Sequence, residues 1–279
     1  HQRLLAPVQQ ALMLVSKLPE IAALLKQIDD LMKIDSGQTR DRIALEQGIA
    51  ANIMLENVSF RYPRSLIPAV AGVSFKIPEG ALVVISGASG AGKSTLLRLI
   101  RGMNQPQAGN IQIGGLSVSQ LSRRDWRKMV GYVSQTPMVF YGTVAQNMRL
   151  ADPNASDSTI RDLLEELGLG PWLASLPDGL TTRIDLATDT GRITPGVQSI
   201  LSLAQALIIQ PRILLLDELA GGLDQELESH VLRALKKRHR TVTTVMVSHR
   251  PSHKRMADAV IEVVNGSARL TPNPAGGTP

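Results

Sequence analysis

The chain has no cysteine, which removes disulfide frameworks, thiolate metal sites and thiol redox chemistry together. Aromatic residues are scarce too, at 3%, too few for the stacking platforms that hold single-stranded nucleic acid. Five scattered histidines, with no cysteine to join them, do not suggest a zinc site either. Charged residues are only 19% against 43% apolar, a balance that opposes disorder and suits a compact domain with appendages. Long hydrophobic runs are missing as well, because Lys17, Pro19 and Glu20 break the most apolar N-terminal stretch. Nothing is therefore expected to span a bilayer, and no secretory signal is seen. Because the first residue is His rather than Met, the sequence is expected to be a piece of a longer chain.

A net charge of +6 would suit an anionic partner, but the basic residues are dispersed. The densest run, Lys236, Lys237, Arg238, His239 and Arg240, is expected at the end of a helix, where cations offset the negative end of the macrodipole. Nucleic-acid binding is not expected.

Between residues 4 and 34, apolar side chains recur every three or four positions, at Leu4, Val8, Leu12, Val15, Leu18, Leu25, Ile28 and Met32. That spacing predicts one or two amphipathic helices, divided near Pro19. The polar stretch 35–47 reads as a linker, so residues 1–48 form an N-terminal appendage and 49–271 a folded unit, with a Pro/Gly tail at 272–279 expected to be disordered. Within the unit, 53–61, 70–77 and 82–86 read as strands, 94–102, 158–167 and 200–209 as helices, and 213–216 and 242–247 as buried parallel strands. Strands alternating with helices predict an α/β fold.

Gly87-Ala88-Ser89-Gly90-Ala91-Gly92-Lys93-Ser94 fits G-x-x-x-x-G-K-[ST] between an apolar strand and a helix, the setting a phosphate-binding loop needs. The glycines allow the backbone to wrap phosphates with its N–H groups, and the helix start adds its positive end. Lys93 supplies charge and Ser94 a hydroxyl for magnesium, with Thr95 next on the helix. Four aliphatic residues then run into Asp217 and Glu218. A buried strand ending this way delivers both carboxylates to the sheet edge where ligands bind, with Asp217 expected to hold the metal and Glu218 to polarise the attacking water.

With these motifs in this order, residues 52–266 resemble the ATP-binding cassette of ABC transporters. The resemblance implies a P-loop NTPase (RecA-like) parallel-sheet core with an antiparallel β subdomain and a helical subdomain. ATP and Mg2+ are the implied cofactors. Tyr62 matches the aromatic residue that stacks on adenine, and Gln135 the glutamine that contacts magnesium and water. His249 matches the switch histidine at the γ-phosphate, and Asp224 the acid of a loop that communicates between paired cassettes. The string GTVAQN, Gly142 to Asn147, together with the N-terminal helical stretch, is similar to exporters with a membrane domain fused upstream. An exporter cassette at the cytoplasmic face of the cell membrane is thus the expectation. The alternatives are an importer ATPase and a soluble ABC ATPase acting on nucleic acid.

One motif departs from the family. Where the family carries Leu-Ser-Gly-Gly-Gln, which grips the nucleotide of the opposite cassette, this chain has Ile193-Thr194-Pro195-Gly196-Val197. Thr194 keeps a hydroxyl and can cap a helix, and Gly196 keeps its backbone donor, but Pro195 removes one donor and Val197 an amide. Residues 186–192 also lack the Gly-Glu pattern usual in exporters. A weakened grip on nucleotide is expected, and with it either an asymmetric heterodimer or a homodimer with two slow sites.

Overall fold

A computed structural model describes residues 49–121, 123–184 and 193–273. The stretch 4–34, the linker 35–47 and the segment 186–192 lie outside them. The chain divides into residues 1–42 and 43–279, a few residues earlier than the boundary read at 48/49.

The described chain begins with strands β1 (Ile53–Phe60), β2 (Val70–Ile77) and β3 (Leu82–Ser86), followed by helix α1 (Lys93–Ile100). Strands β4 (Ala108–Ile113) and β5 (Leu116–Ser117), helix α2 (Arg123–Met129) and strand β6 (Val130–Val133) come next. A largely helical stretch holds β7 (Gly142–Thr143), α3 (Val144–Arg149), α4 (Asp157–Glu166), α5 (Gly170–Ala174), β8 (Arg183–Ile184) and α6 (Pro195–Ile208). The last elements are β9 (Ile213–Asp217), α7 (Gln225–Arg238), β10 (Thr243–Val247), α8 (Pro251–Met256), β11 (Ala259–Val264) and β12 (Ser267–Pro272).

Alternation sets the first sheet. Ile53, Leu55, Val58 and Phe60 of β1 turn inward, and antiparallel pairing gives the order β2-β1-β4-β5. The second sheet has the order β12-β11-β3-β10-β9-β6, in which β11, β3, β10, β9 and β6 run parallel and β12 is antiparallel. Its central strands are covered on both faces, which is why they read as unbroken aliphatic runs. Successive residues separate by face: Leu82, Val84, Leu214, Leu216 and Met246 join the core under α3, α4 and α6. Val83, Ile85, Ile213, Leu215, Val245 and Val247 join the core shared with β1, β2, β4 and α1. The parallel core, antiparallel sheet and helical part expected from the sequence are all present.

The helices begin where the chemistry of their first residues allows. Ser156 caps α4, Asp224 caps α7 and Thr194 caps α6, each accepting from a backbone N–H of the first turn. Helix α3 carries a capping box: Thr143 Oγ1 accepts from Gln146 N at 3.0 Å, and Gln146 Oε1 accepts from Thr143 N at 2.8 Å. The basic run does end a helix, with Lys236, Lys237 and Arg238 in the last turn of α7.

The ordered chain continues past the boundary read at 271. β12 includes Pro272, and Asn273 Nδ2 donates to the carbonyls of Lys254 and Ala257, each at 2.9 Å. Pairing with β11 carries it on, since Pro272 stands opposite Ala259; residues 274–279 of the expected tail lie outside the described residues.

His253 on α8 is a buried histidine whose ring nitrogens make no hydrogen bond among the described residues. Burial, helped by the Arg250 charge, holds its pKa down to about 4, so the folded protein keeps it neutral. The unfolded chain takes up a proton below about pH 6.5, and stability is therefore lost as the pH falls from there toward 4. We expect a loss of about 2 kcal/mol from this group by pH 5. Denaturant unfolding at pH 7 and pH 5 checks it: the difference should shrink in His253→Phe, and an equal difference would refute the assignment.

Candidate nucleotide-binding site

Parallel register brings four strand ends to one edge. Val247 stands opposite both Ile85 and Asp217, and Leu216 opposite Val133. The segments that leave this edge therefore carry the loop 87–94 after β3, Gln135 after β6, Glu218 after β9 and His249 after β10, as the rule for ligand sites in open α/β sheets requires.

In the loop, Gly92 precedes α1 in the left-handed region, at φ 108°, and a Cβ there would stand 2.2 Å from the Ala69 carbonyl oxygen. Glycine is required at this point on both counts. Among the described residues, the N–H groups of Gly90, Gly92, Lys93, Ser94 and Thr95 have no protein acceptor. Lys93 is buried, and its Nζ donates to the carbonyls of Gly87 at 3.0 Å and Ala88 at 2.8 Å. Converging N–H donors, a buried ammonium and a helix start form a cradle for an anion.

Across the loop, Ser94 Oγ donates to Asp217 Oδ1 at 2.9 Å. Burial raises the Asp217 carboxyl above the usual aspartate range; the Ser94 hydrogen bond opposes this, and the Glu218 charge adds to it. A hydroxyl and a carboxylate are the hard oxygen donors that suit magnesium.

Glu218 has a left-handed backbone, φ 53°, with its N–H donating to the Val247 carbonyl at 3.2 Å. A non-glycine residue held there costs about 1–2 kcal/mol, and the turn lifts the side chain out of the strand's alternation. Gln135 Nε2 donates to Glu218 Oε2 at 2.7 Å, and His249 Nε2 lies 3.9 Å from Glu218 Oε1.

Tyr62 sits at the side of the loop. Its ring meets Phe60 edge-on at 4.9 Å, its hydroxyl lies 3.3 Å from Thr95 Oγ1, and Arg98 donates to that hydroxyl at 3.3 Å. A cleft of about 640 Å³ opens beside it, bordered by Arg61, Tyr62, Leu66 and Asn104. The sequence reading missed Arg98, a solvent-facing position on α1 with no motif to mark it.

The model of the ABC transporter family matches residues 70–221. The chain belongs to the ABC transporter family. It is 35% identical over 236 residues to the mycobactin import ATP-binding/permease protein IrtB of Mycobacterium tuberculosis, covering 85% of this chain and 40% of that protein. It is 33% identical over 242 residues to the ABC multidrug transporter mdr2 of Aspergillus fumigatus, covering 86% of this chain and 30% of that one. A bacterial Atm1-family ABC exporter with ATP bound superposes with a TM-score of 0.82 at 25% identity, over 97% of this chain and 47% of that chain. The chain thus spans less than half the length of these relatives. It is an ATP-binding domain of the kind that hydrolyses ATP in this family.

The other expected site residues of this ABC domain stand apart from the phosphate cradle in their contacts. Thr194 Oγ1 accepts from Val197 N at 3.3 Å, and Val197 is buried in the core below α6. A Cβ on Gly196 would stand 2.8 Å from the Gly222 carbonyl oxygen, and one on Gly222 would stand 3.1 Å from Pro195 Cβ. The start of α6 therefore packs on the loop that follows Glu218. The Asp224 carboxylate is engaged as the cap of α7, accepting from Leu227 N at 2.8 Å, a role the reading of that loop missed although the following helical pattern signalled it. The GTVAQN string, read only as a family likeness, is the capping box of α3, and Asn147 within it exchanges hydrogen bonds with Phe140 at 2.8 Å each way.

The Ser94–Asp217 pair gives a direct check on the metal assignment. Ser94→Ala is expected to weaken ATP binding about tenfold with magnesium present and to change it little in excess EDTA. Calorimetry under both conditions decides; equal losses would remove Ser94 from the metal site.

Proposed function

We propose that this chain powers an exporter, as the cassette that two copies or two related chains close around ATP at the cytoplasmic face of a membrane. The observation that carries this is the meeting of Lys93, Ser94, Asp217, Gln135, Glu218 and His249 at one sheet edge, supplied by the start of α1 and by the segments leaving β6, β9 and β10. A membrane domain fused upstream is the fitting partner, since relatives are ATP-binding/permease proteins twice this length or more.

In this reading the backbone of residues 87–94, with Thr95, cradles the triphosphate and Lys93 neutralises it. Tyr62 offers its ring to the adenine. Ser94 and Asp217 would hold Mg2+, which when bound spreads the phosphate charge. Glu218 accepts the proton of the attacking water, with Gln135 fixing its carboxylate by the 2.7 Å hydrogen bond. His249, half exposed beside Glu218, would contact the terminal phosphate. Thr194 and Gly196 serve the nucleotide of the opposite cassette, while Asp224 fixes the loop between the two sites. Importer activity is the second reading, favoured by the mycobactin import relative.

Glu218→Gln should bind Mg-ATP with unchanged affinity, hold the closed dimer and lower turnover at least about a hundredfold. Turnover at the normal rate would refute the base. Lys93→Ala should instead weaken binding itself, read by calorimetry.

The altered turn 193–197 supports pairing with a different cassette that carries a regular Leu-Ser-Gly-Gly-Gln. The complex purified from its native membrane should then contain two distinct cassette chains, as mass spectrometry would show. Two identical chains would overturn the heterodimer.

A further inference from the structure

Among the described residues no hydrogen bond fixes the His249 ring; the Glu218 carboxylate lies 3.9 Å from its Nε2. Its flanks, in contrast, are tied down. Ser248 N donates to the Ile85 carbonyl at 3.1 Å, and Arg250 N donates to Ser248 Oγ at 3.1 Å. Beyond the histidine, the Arg250 guanidinium donates to Glu228 Oε2, and Ser252 Oγ donates to Glu228 Oε1 at 2.9 Å. Arg250 also reaches the Leu223 carbonyl at 3.4 Å.

Glu228 is therefore a shared anchor. Its side chain is only 13% exposed, and it stands one turn into α7, behind the Asp224 cap and the loop that leaves Glu218. His253 Nε2 lies 3.1 Å from Glu228 Oε1 without the alignment of a hydrogen bond. A neutral histidine there leaves Arg250 as the cation that balances the buried carboxylate, and such a charge-assisted pair is strong and directional.

We propose that the Arg250–Glu228 pair, with Ser252, is the positioning clamp for His249, tying the histidine's loop to the loop after Glu218 so that the two arms of the hydrolytic site move as one. The clamp touches neither nucleotide nor metal. Its work is to fix the path of residues 248–252, and through it the placement of the imidazole. This rests on the ATPase reading above and adds to it Arg250, Glu228 and Ser252.

The test uses the full-length assembled protein and Mg-ATP. Glu228→Gln keeps the volume and an acceptor for Ser252 but removes the charge that orders Arg250. Its turnover should fall about tenfold or more with ATP affinity within twofold of the parent, because displacement of a catalytic group by a fraction of an ångström acts on the chemical step. Arg250→Lys, which keeps a cation and loses the fork, should recover part of that loss. The decisive comparison is made in the His249→Gln background. A clamp acting through His249 leaves the double variant no slower than His249→Gln alone, whereas a general structural role multiplies the two losses. Normal turnover in Glu228→Gln, a multiplied loss in the double variant, or loss of ATP affinity each overturns the clamp. Parent protein that binds no Mg-ATP overturns the function reading and the clamp with it, so the two failures are told apart by the parent alone.

Discussion

Everything in this domain depends on the parallel pairing of β6, β9, β10 and β3. Main-chain hydrogen bonding in register places Val133, Asp217, Val247 and Ser86 at or near the same level of the sheet, so the four segments that follow start from one line. A shift by one residue in any strand would invert its two faces, carrying Leu214, Leu216 and their neighbours into the wrong core. The cores on either side therefore enforce the alignment of the site, and the site needs no separate scaffold.

On that edge the protein holds groups in states they would not choose in water. Lys93 is buried with its ammonium on two carbonyls, Asp217 is pushed toward protonation by burial, and Glu218 is held in a left-handed backbone. Each is a modest cost carried by the surrounding sheet, and an anionic phosphate chain would offset the buried charge of Lys93. Groups held in advance for a charge that arrives later need little reorganisation when it does, which is the basis of electrostatic catalysis.

The turn at 193–197 is fixed differently, by close packing on its own chain. Pro195 and Gly222 meet closely, and Gly196 fits only because it lacks a Cβ, so the start of α6 is shaped to its own loop after Glu218. Through that contact the turn is joined to the loop leading into α7. The clamp at Glu228 extends that same route to His249.

Much of this was legible in the chain itself. The loop 87–94, the aliphatic run into Asp217 and Glu218, and the buried strands read at 213–216 and 242–247 are local patterns whose chemistry or periodicity names them. The cap at Thr194 and the basic end of α7 followed from the same local rules. What tertiary structure alone decided was whatever joins distant segments: the Gln135–Glu218 hydrogen bond, the positive φ at Glu218, the partners of Tyr62 and the contact between Pro195 and Gly222. Strand pairing and loop approach arise from long-range packing, and a sequence read in windows records which residues a strand carries but not which neighbour it will lie against.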